Sequence, residues 1–323
     1  MRSQITSIYE FREKLIQIYA KHTLPVRFGI KFVAAFFMLL SINSKAGYVA
    51  ELVSLPVTLL IAAVCCVLPW SMITGVMCVI LLIHFMKISF VVALVALIIM
   101  VVMVLINLIF APGYQSVVFF VPMMFFLRMP FVLPLVLGLV APVTSLIPMV
   151  FGLVIYYLMD YVSTTAGVLA DVTGTAGMSE RFIQLIDALK GNHTLMVVTA
   201  AFAITVVIVY VIRRLSIDYA WLIAIGAGMV TDLVLVLFGV ATSETTSMSA
   251  IFVIFSSLVS GLIAYAVQFM VFAVDYKRTE YAEFQDDDYH YYVKAVPIVK
   301  VAEKEYNRID ILPKDANSKK GKQ

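Results

Sequence analysis

The chain has 323 residues, of which 63% are hydrophobic and 13% charged, with a mean hydropathy of +1.02. Those values exclude a soluble globular domain and point to an all-α polytopic membrane protein whose first partner is the lipid bilayer. The formal charge of +3 is small, and no basic groove with interleaved aromatics exists, so nucleic acid is not an expected partner.

Lysine and arginine avoid the apolar runs and gather at the two ends. Residues 1–31 hold Arg2, Arg12, Lys14, Lys21, Arg27 and Lys31 against Glu10 and Glu13. The first apolar run follows this charged segment without a small-residue cleavage site, so it reads as a retained span and not as a signal peptide. Within residues 1–22, Ile5, Ile8, Arg12, Leu15, Ile16 and Tyr19 fall near one helical face. That spacing predicts an amphipathic helix, lying on the cytoplasmic interface or packed against the bundle.

Residues 23–275 are expected to form the transmembrane bundle, with about eight spans. Residues 27–43 form the first, with Lys31 reaching for headgroups. Residues 47–69 form a second, with Pro56 near its start. Residues 71–87 and 89–110 form a third and fourth, packed as an antiparallel pair around Lys87, with His84 as a hydrogen-bonding group near their turn. The three cysteines, Cys65, Cys66 and Cys78, lie in apolar runs and read as packing residues.

The next stretch, residues 111–159, is almost wholly apolar yet carries Pro112, Pro122, Pro130, Pro134, Pro142 and Pro148. An interior proline costs a helix roughly 3 kcal/mol. Broken backbone at membrane depth survives only where other helices, hydroxyls or a wet cavity satisfy it. Residues 115–129 therefore read as a re-entrant or interfacial segment with Arg128 as a cytoplasmic anchor, and residues 131–159 as a long, kinked fifth span. The breaks mark either a binding site or packed structural kinks.

Residues 160–192 lack a Lys/Arg excess and are expected outside, carrying a short helix capped by Ser179 and stopped by Gly191. Asn192-His193-Thr194 matches a glycosylation acceptor, a pattern too common to weigh much. Spans six to eight follow at residues 195–212, 219–240 and 250–274. This arrangement places both termini in the cytoplasm, with Arg213, Arg214, Lys277 and Arg278 on that side.

Asp232 is the sharpest candidate for chemistry. A carboxylate near mid-span costs roughly 2.5–3.5 kcal/mol on insertion scales, so it should face the interior, as part of a solute or ion path or as glue between helices. Thr231 stands beside it, Gly226 and Gly228 would let another backbone approach, and Asn107 is a weaker candidate of the same kind. Pro134 and Pro142 would mark broken ends along that path. Ser257 and Gly261 lie in a run of small residues suited to close helix contact, within the bundle or in a homodimer. No catalytic motif is present, the four histidines are scattered, and neither an enzymatic activity, a metal nor a cofactor is expected.

The tail, residues 276–323, holds ten Lys and Arg against nine acids. Tyr289, Tyr291, Tyr292 and Val293 suggest one or two strands, with Pro297 confining the second to an edge. So short a segment should pair with a cytoplasmic or membrane protein partner, pair with another copy, stay partly disordered, or pack along the cytoplasmic surface. After Lys314 the composition turns to disorder. Within this tail, RTEYAEFQDDDYHYYVKAVP, residues 278–297, resembles the C-terminal signature of an uncharacterised family of multi-pass membrane proteins from Gram-positive anaerobes. The resemblance implies residence in a bacterial plasma membrane and carries no activity. Two functions follow: a transport or permease-type subunit, favoured by the broken stretch and the intramembrane acid, or a non-transporting scaffold that recruits partners through its tail.

Overall fold

The computed structural model describes residues 2–170, 178–242, 249–271 and 280–295. Its first half runs α1 (Arg2–Lys21), α2 (Thr23–Ala46), α3 (Ala50–Val53), α4 (Leu55–Val67), α5 (Trp70–Ile88) and α6 (Phe90–Phe110). The proline-rich stretch forms α7 (Val117–Phe126), α8 (Val132–Val140), a 3₁₀ turn at Val143–Ser145 and the start of α9 (Leu146–Ala170). Then come α10 (Met178–Lys190), α11 (His193–Arg213), α12 (Ala220–Thr242), α13 (Ala250–Val271) and two strands, β1 (Glu280–Gln285) and β2 (His290–Ala295). The chain is an all-α polytopic membrane protein: seven of the described helices are long and apolar enough to cross a bilayer. The expected second span is the exception. It is divided at the extended Ser54 into α3 and a 13-residue α4, about 20 Å long at 1.5 Å per residue.

Side chains that cap helix ends sort those ends onto two faces. Arg12 donates from Nε to the Phe269 carbonyl at 3.0 Å and from Nη2 to that of Met270 at 3.2 Å, so α1 sits at the end of α13. Lys31 Nζ reaches the Leu68 carbonyl at 2.9 Å, placing the end of α4 on this terminal face too. On the opposite face the Val49 amide donates to His84 Nδ1 at 3.2 Å, the hydrogen-bonding role expected of that histidine, and Lys45 pairs with Asp160. In α1, Arg12 is buried while Leu15, Ile16 and Tyr19 are exposed. The helix thus both docks on the bundle and shows an apolar side; the side chains of Ile5 and Ile8 lie outside the described residues.

The prolines start helices more than they break them. Pro134 and Pro148 are the third residues of α8 and α9, where the missing N–H would have no intrahelical partner anyway. Pro112 and Pro130 lie in turns and Pro142 precedes the 3₁₀ turn. Only Pro122 is interior, in α7. It leaves the Val118 carbonyl without its helical donor, and Gly152 of α9 meets that carbonyl: a Cβ at Gly152 would lie 2.6 Å from the Val118 oxygen. The glycine hydrogen instead allows a weak Cα–H···O contact there.

Residues 131–159 are consequently not one kinked span. The end of α8 lies on the terminal face, because Arg213, at the end of α11, donates to the carbonyls of Leu139 and Ala141, the latter at 2.9 Å. The crossing helix begins at Leu146 and continues through Asp160 to Ala170, so the outer polar segment starts later than residue 160. Arms of 10 and 9 residues are about 15 and 14 Å long, half of the roughly 30 Å hydrocarbon core. α7 and α8 therefore form a re-entrant hairpin that enters from the terminal face and turns at residues 127–131. Arg128 stands at its tip, which corrects the expectation of an anchor on the side of the termini.

The hairpin lies between two sets of helices that also share a core, in which Val117 and Val121 of α7, Leu133 and Leu137 of α8, Met149 and Leu153 of α9 and Phe202 of α11 are buried together. Val118, Phe119 and Met123 of α7 are buried with α2, α5, α6 and α9. Leu135 and Leu139 of α8 are buried with Val209, Ala224, Ile225 and Ala264 of α11, α12 and α13. α10 packs over the first group through the fully buried Leu185. This helix begins at Met178, one residue before Ser179, whose side chain lies outside the described residues. Asn192 caps α11, its Oδ1 accepting from the Leu195 amide at 2.9 Å.

If Gly152 is what lets α9 reach the Val118 carbonyl, Gly152→Ala should lower the melting temperature in detergent, by overpacking worth about 1–3 kcal/mol. Gly75→Ala, with nothing within 4 Å of the new methyl, should leave it unchanged or raise it.

Candidate functional site

The residues expected to form a path through the membrane do not come together. Asp232 is fully buried on α12, and its Oδ1 accepts from Thr205 Oγ1 of α11 at 2.7 Å. Its Oδ2 has no hydrogen-bond partner, and it makes no ion pair among the described residues. Thr231 turns back to its own helix, donating to the Ala227 carbonyl at 2.8 Å. Thr205, not Thr231, is the hydroxyl that serves the acid. Gly228 lets α12 close on side chains of its neighbours, a Cβ there lying 2.5 Å from Val209 and 2.6 Å from Leu135. Gly226 has open space around it and admits no such approach. Asn107 is buried on α6, in the other helix group, with its Oδ1 unpartnered. Pro134 and Pro142 are helix starts, as described above. Ser257 and Gly261 are buried on α13, where Met229 of α12 fills the space over Gly261, so this small-residue face packs within the chain.

A cavity lies elsewhere, at the hairpin tip between α2, α9 and the start of α13. It has a volume of about 490 Å³. One wall comes from the end of α2, with Ser41, Ser44 and Lys45; another comes from Ser249 and Phe252 at the start of α13. Pro122, Phe125, Phe126 and Arg128 of the hairpin and Tyr156 of α9 complete it. Since Lys45 and Ser249 belong to the face opposite the termini, the cavity faces that side and its floor is the turn of a hairpin entering from the other side.

The cavity is amphipathic. Phe125 stacks on Tyr156 with ring centroids 4.0 Å apart and planes within 20°, a flat apolar surface. The Lys45 ammonium sits 5.9 Å from the Tyr156 ring centre and is paired with Asp160. Ser41 and Ser44 donate to the carbonyls of Met38 and Ser41 at 3.0 and 2.9 Å, so their oxygens face the cavity as acceptors. Arg128 makes no side-chain hydrogen bond or ion pair among the described residues.

The backbone at Arg128 is unusual. Its φ is +61°, the left-handed conformation that glycine ordinarily supplies after a helix. The Arg128 amide donates to the Phe125 carbonyl at 3.1 Å and the Met129 amide to the Met124 carbonyl at 2.9 Å, the paired bonds of a Schellman end. A side chain in this conformation costs roughly 1–2 kcal/mol. The signal in the sequence that singles out Arg128 is a lone cation amid a long apolar stretch.

The tail forms a separate feature. β1 and β2 pair antiparallel, with Phe284 opposite Tyr291 and Ala282 opposite Val293. The tail strands thus pair with each other, and Lys294 reaches Asp218, between α11 and α12, at 2.5 Å. Tyr289, Tyr291, Tyr292 and Val293 are all exposed, while Pro297 and the following residues lie outside the described part. In the turn, Asp286 Oδ1 accepts from the amides of Tyr289 at 2.7 Å and Asp288 at 3.0 Å, and Oδ2 accepts from the Tyr291 hydroxyl at 2.9 Å.

Among the described residues no three His, Cys, Asp or Glu side chains are grouped as metal ligands. The chain matches no protein-family model, no curated protein and no solved structure.

The backbone donors of Tyr289 and Asp288, with the Tyr291 hydroxyl, hold the Asp286 carboxyl below the usual carboxylate range. The turn therefore gains stability above the unfolded value of about 3.9, and loses it as pH falls through the depressed one. In ¹³C-aspartate NMR of the detergent-solubilised protein, one carboxyl signal absent from an Asp286→Asn variant should titrate at a depressed pH. Tyr291→Phe should shift that midpoint upward only part of the way, because the backbone donors remain.

Proposed function

We propose that this integral membrane protein is a transport or permease-type subunit whose solute chamber is the cavity at the hairpin tip. The observation that carries the reading is the arrangement of that cavity: it lies between two helix groups and is floored by a re-entrant hairpin entering from the opposite face. Transporters build sites from discontinuous helices near mid-depth and expose them alternately as one helix group rocks against the other. Here α7 packs mainly on α2 and α9 and α8 on α11 and α13, with Val117 and Val121 of α7 also buried beside α8 and α11, so relative motion of the two sides would act on the hairpin and its tip. Asp232, buried between α11 and α12, enters this reading as a residue that holds the second group together.

The six basic residues within 1–31, against two acids, support a cytoplasmic terminal face. A bacterial plasma membrane accords with the tail's resemblance. A second reading, a scaffold that recruits partners, is favoured by the ordered β-hairpin: its outer strand edges and aromatic side chains are exposed, a form suited to strand addition.

The chamber reading is tested with Ser41→Cys in a background lacking Cys65, Cys66 and Cys78. Ser41 is 2% exposed and lines the cavity. Membrane-impermeant maleimide should label it from both faces of oriented proteoliposomes, with the two accessibilities alternating. Labelling from the face opposite the termini alone, under all conditions, would identify a fixed pocket and reject transport through it.

A further inference from the structure

We propose that the cavity at the hairpin tip is an organic-anion site, in which a carboxylate or phosphate group pairs with Arg128 and a flat apolar body lies against Phe125, Tyr156 and Phe252. The inference rests on the chamber reading for its location, but concerns what is held there and not whether the chamber alternates.

Charge sets the first constraint. Lys45 is paired with Asp160, whereas the Arg128 guanidinium has no hydrogen bond or ion pair among the described residues. Among the described residues the cavity thus keeps one positive charge without a partner, on an exposed side chain. A guanidinium presents a planar fork that matches carboxylate and phosphate oxygens two at a time. The Ser41 and Ser44 hydroxyl hydrogens are engaged by backbone carbonyls, so these serines offer acceptor oxygens and would not ligate an anion. Arg128 is left as its principal holder.

Size and shape set the second. About 490 Å³ lies within the roughly 300–1,000 Å³ of small-molecule sites and is far more than a bare inorganic anion fills. Phe125 and Tyr156, stacked at 4.0 Å, together with Phe126 and Phe252, suit an aromatic or short acyl body better than a hydrated ion.

The backbone supplies the third. At φ +61° glycine would be the relaxed choice, yet an arginine stands there, and the two Schellman bonds fix its Cα at the extreme of the hairpin tip. Tyr219 shares this conformation at φ +59°, but Arg128 is the one of the two that lines the cavity, where held strain is compatible with a ligand-holding position. The ligand could come from solution or be an anionic lipid headgroup; both present the same chemistry to Arg128.

The test uses the full chain in phosphatidylcholine nanodiscs, titrated calorimetrically with phenyl phosphate, benzoate, inorganic phosphate and benzyl alcohol. Phenyl phosphate or benzoate should saturate a single site, inorganic phosphate should bind at least tenfold more weakly, and benzyl alcohol should give no saturable binding. Arg128→Gln should weaken the anions at least tenfold. Arg128→Gly should do the same with an unchanged or higher melting temperature, because glycine suits the left-handed backbone, so the loss could not be ascribed to unfolding. If phosphatidylglycerol co-purifies with the wild type, blocks phenyl phosphate, and is depleted from both variants, the anion site stands with lipid as its source. Equal binding by wild type and both variants overturns the proposal, as does the absence of any anionic ligand or lipid. The two readings fail separately. Ser41→Cys labelling from both faces without anion binding would leave the chamber and remove its anion, whereas anion binding with labelling from one face would establish the anion site and reject transport.

Discussion

Lipid offers no hydrogen bonds, and that constraint decides where this backbone is allowed to stop. A helix that ends within the bilayer leaves its last carbonyls without donors. At the entry of the hairpin on the terminal face, the end of α8 is closed by the Arg213 guanidinium, which donates to the carbonyls of Leu139 and Ala141. α7 is closed at the tip, where the amides of Leu127, Arg128 and Met129 return to the carbonyls of Met123, Phe125 and Met124. These closures permit a hairpin of two half-length helices in the hydrocarbon region. The cavity is placed by that hairpin.

Its arms divide the molecule. α7 lies against α9 and α2, α8 against α11 and α13, so the turn between them is one of three connections between the two sides, with those from α8 to α9 and from α10 to α11. A cavity at such a boundary borrows walls from both sides, with α2 contributing Ser41, Ser44 and Lys45 and α13 contributing Ser249 and Phe252. Packed cores do not deform continuously, and helix groups move as units. The hairpin tip at this boundary holds Arg128 in its left-handed backbone conformation.

Much of the architecture was legible in the sequence because spanning helices are long, apolar and flanked by charge. The helices α2, α5, α6, α11, α12 and α13 fall close to where hydropathy put them. The proline-rich stretch was read with the right physics and the wrong positions: proline counts reveal that a helix is interrupted, but only the surrounding turns reveal whether each proline breaks a helix or begins one. Pro134 and Pro148 begin helices, and Pro122 is the one that sits inside. The site was less legible. Asp232 stands out in a one-dimensional scan because an intramembrane acid is rare, yet it is packed against Thr205 away from the cavity. Lys45, Tyr156 and Arg128 are separated by long stretches of chain, and nothing in their spacing indicates a common cavity. The unusual backbone of Arg128 is invisible in sequence, since an arginine carries no signal for a positive φ. The β-hairpin was half legible: its β-branched and aromatic density announced strands, and Asp286 closing the turn made the two strands each other's partners.

The central claim is that the hairpin enters from the face carrying the termini and turns within the membrane, close to the opposite-face cavity. Pulsed electron paramagnetic resonance measures this directly, on spin labels at Phe126→Cys paired with Ser249→Cys or with Asp218→Cys, in the background lacking native cysteines. The account predicts a short distance from the tip to position 249, across the cavity both line, and a clearly longer one from the tip to position 218 on the terminal face. A tip closer to position 218 than to position 249 would contradict the re-entrant hairpin and the cavity assigned to it.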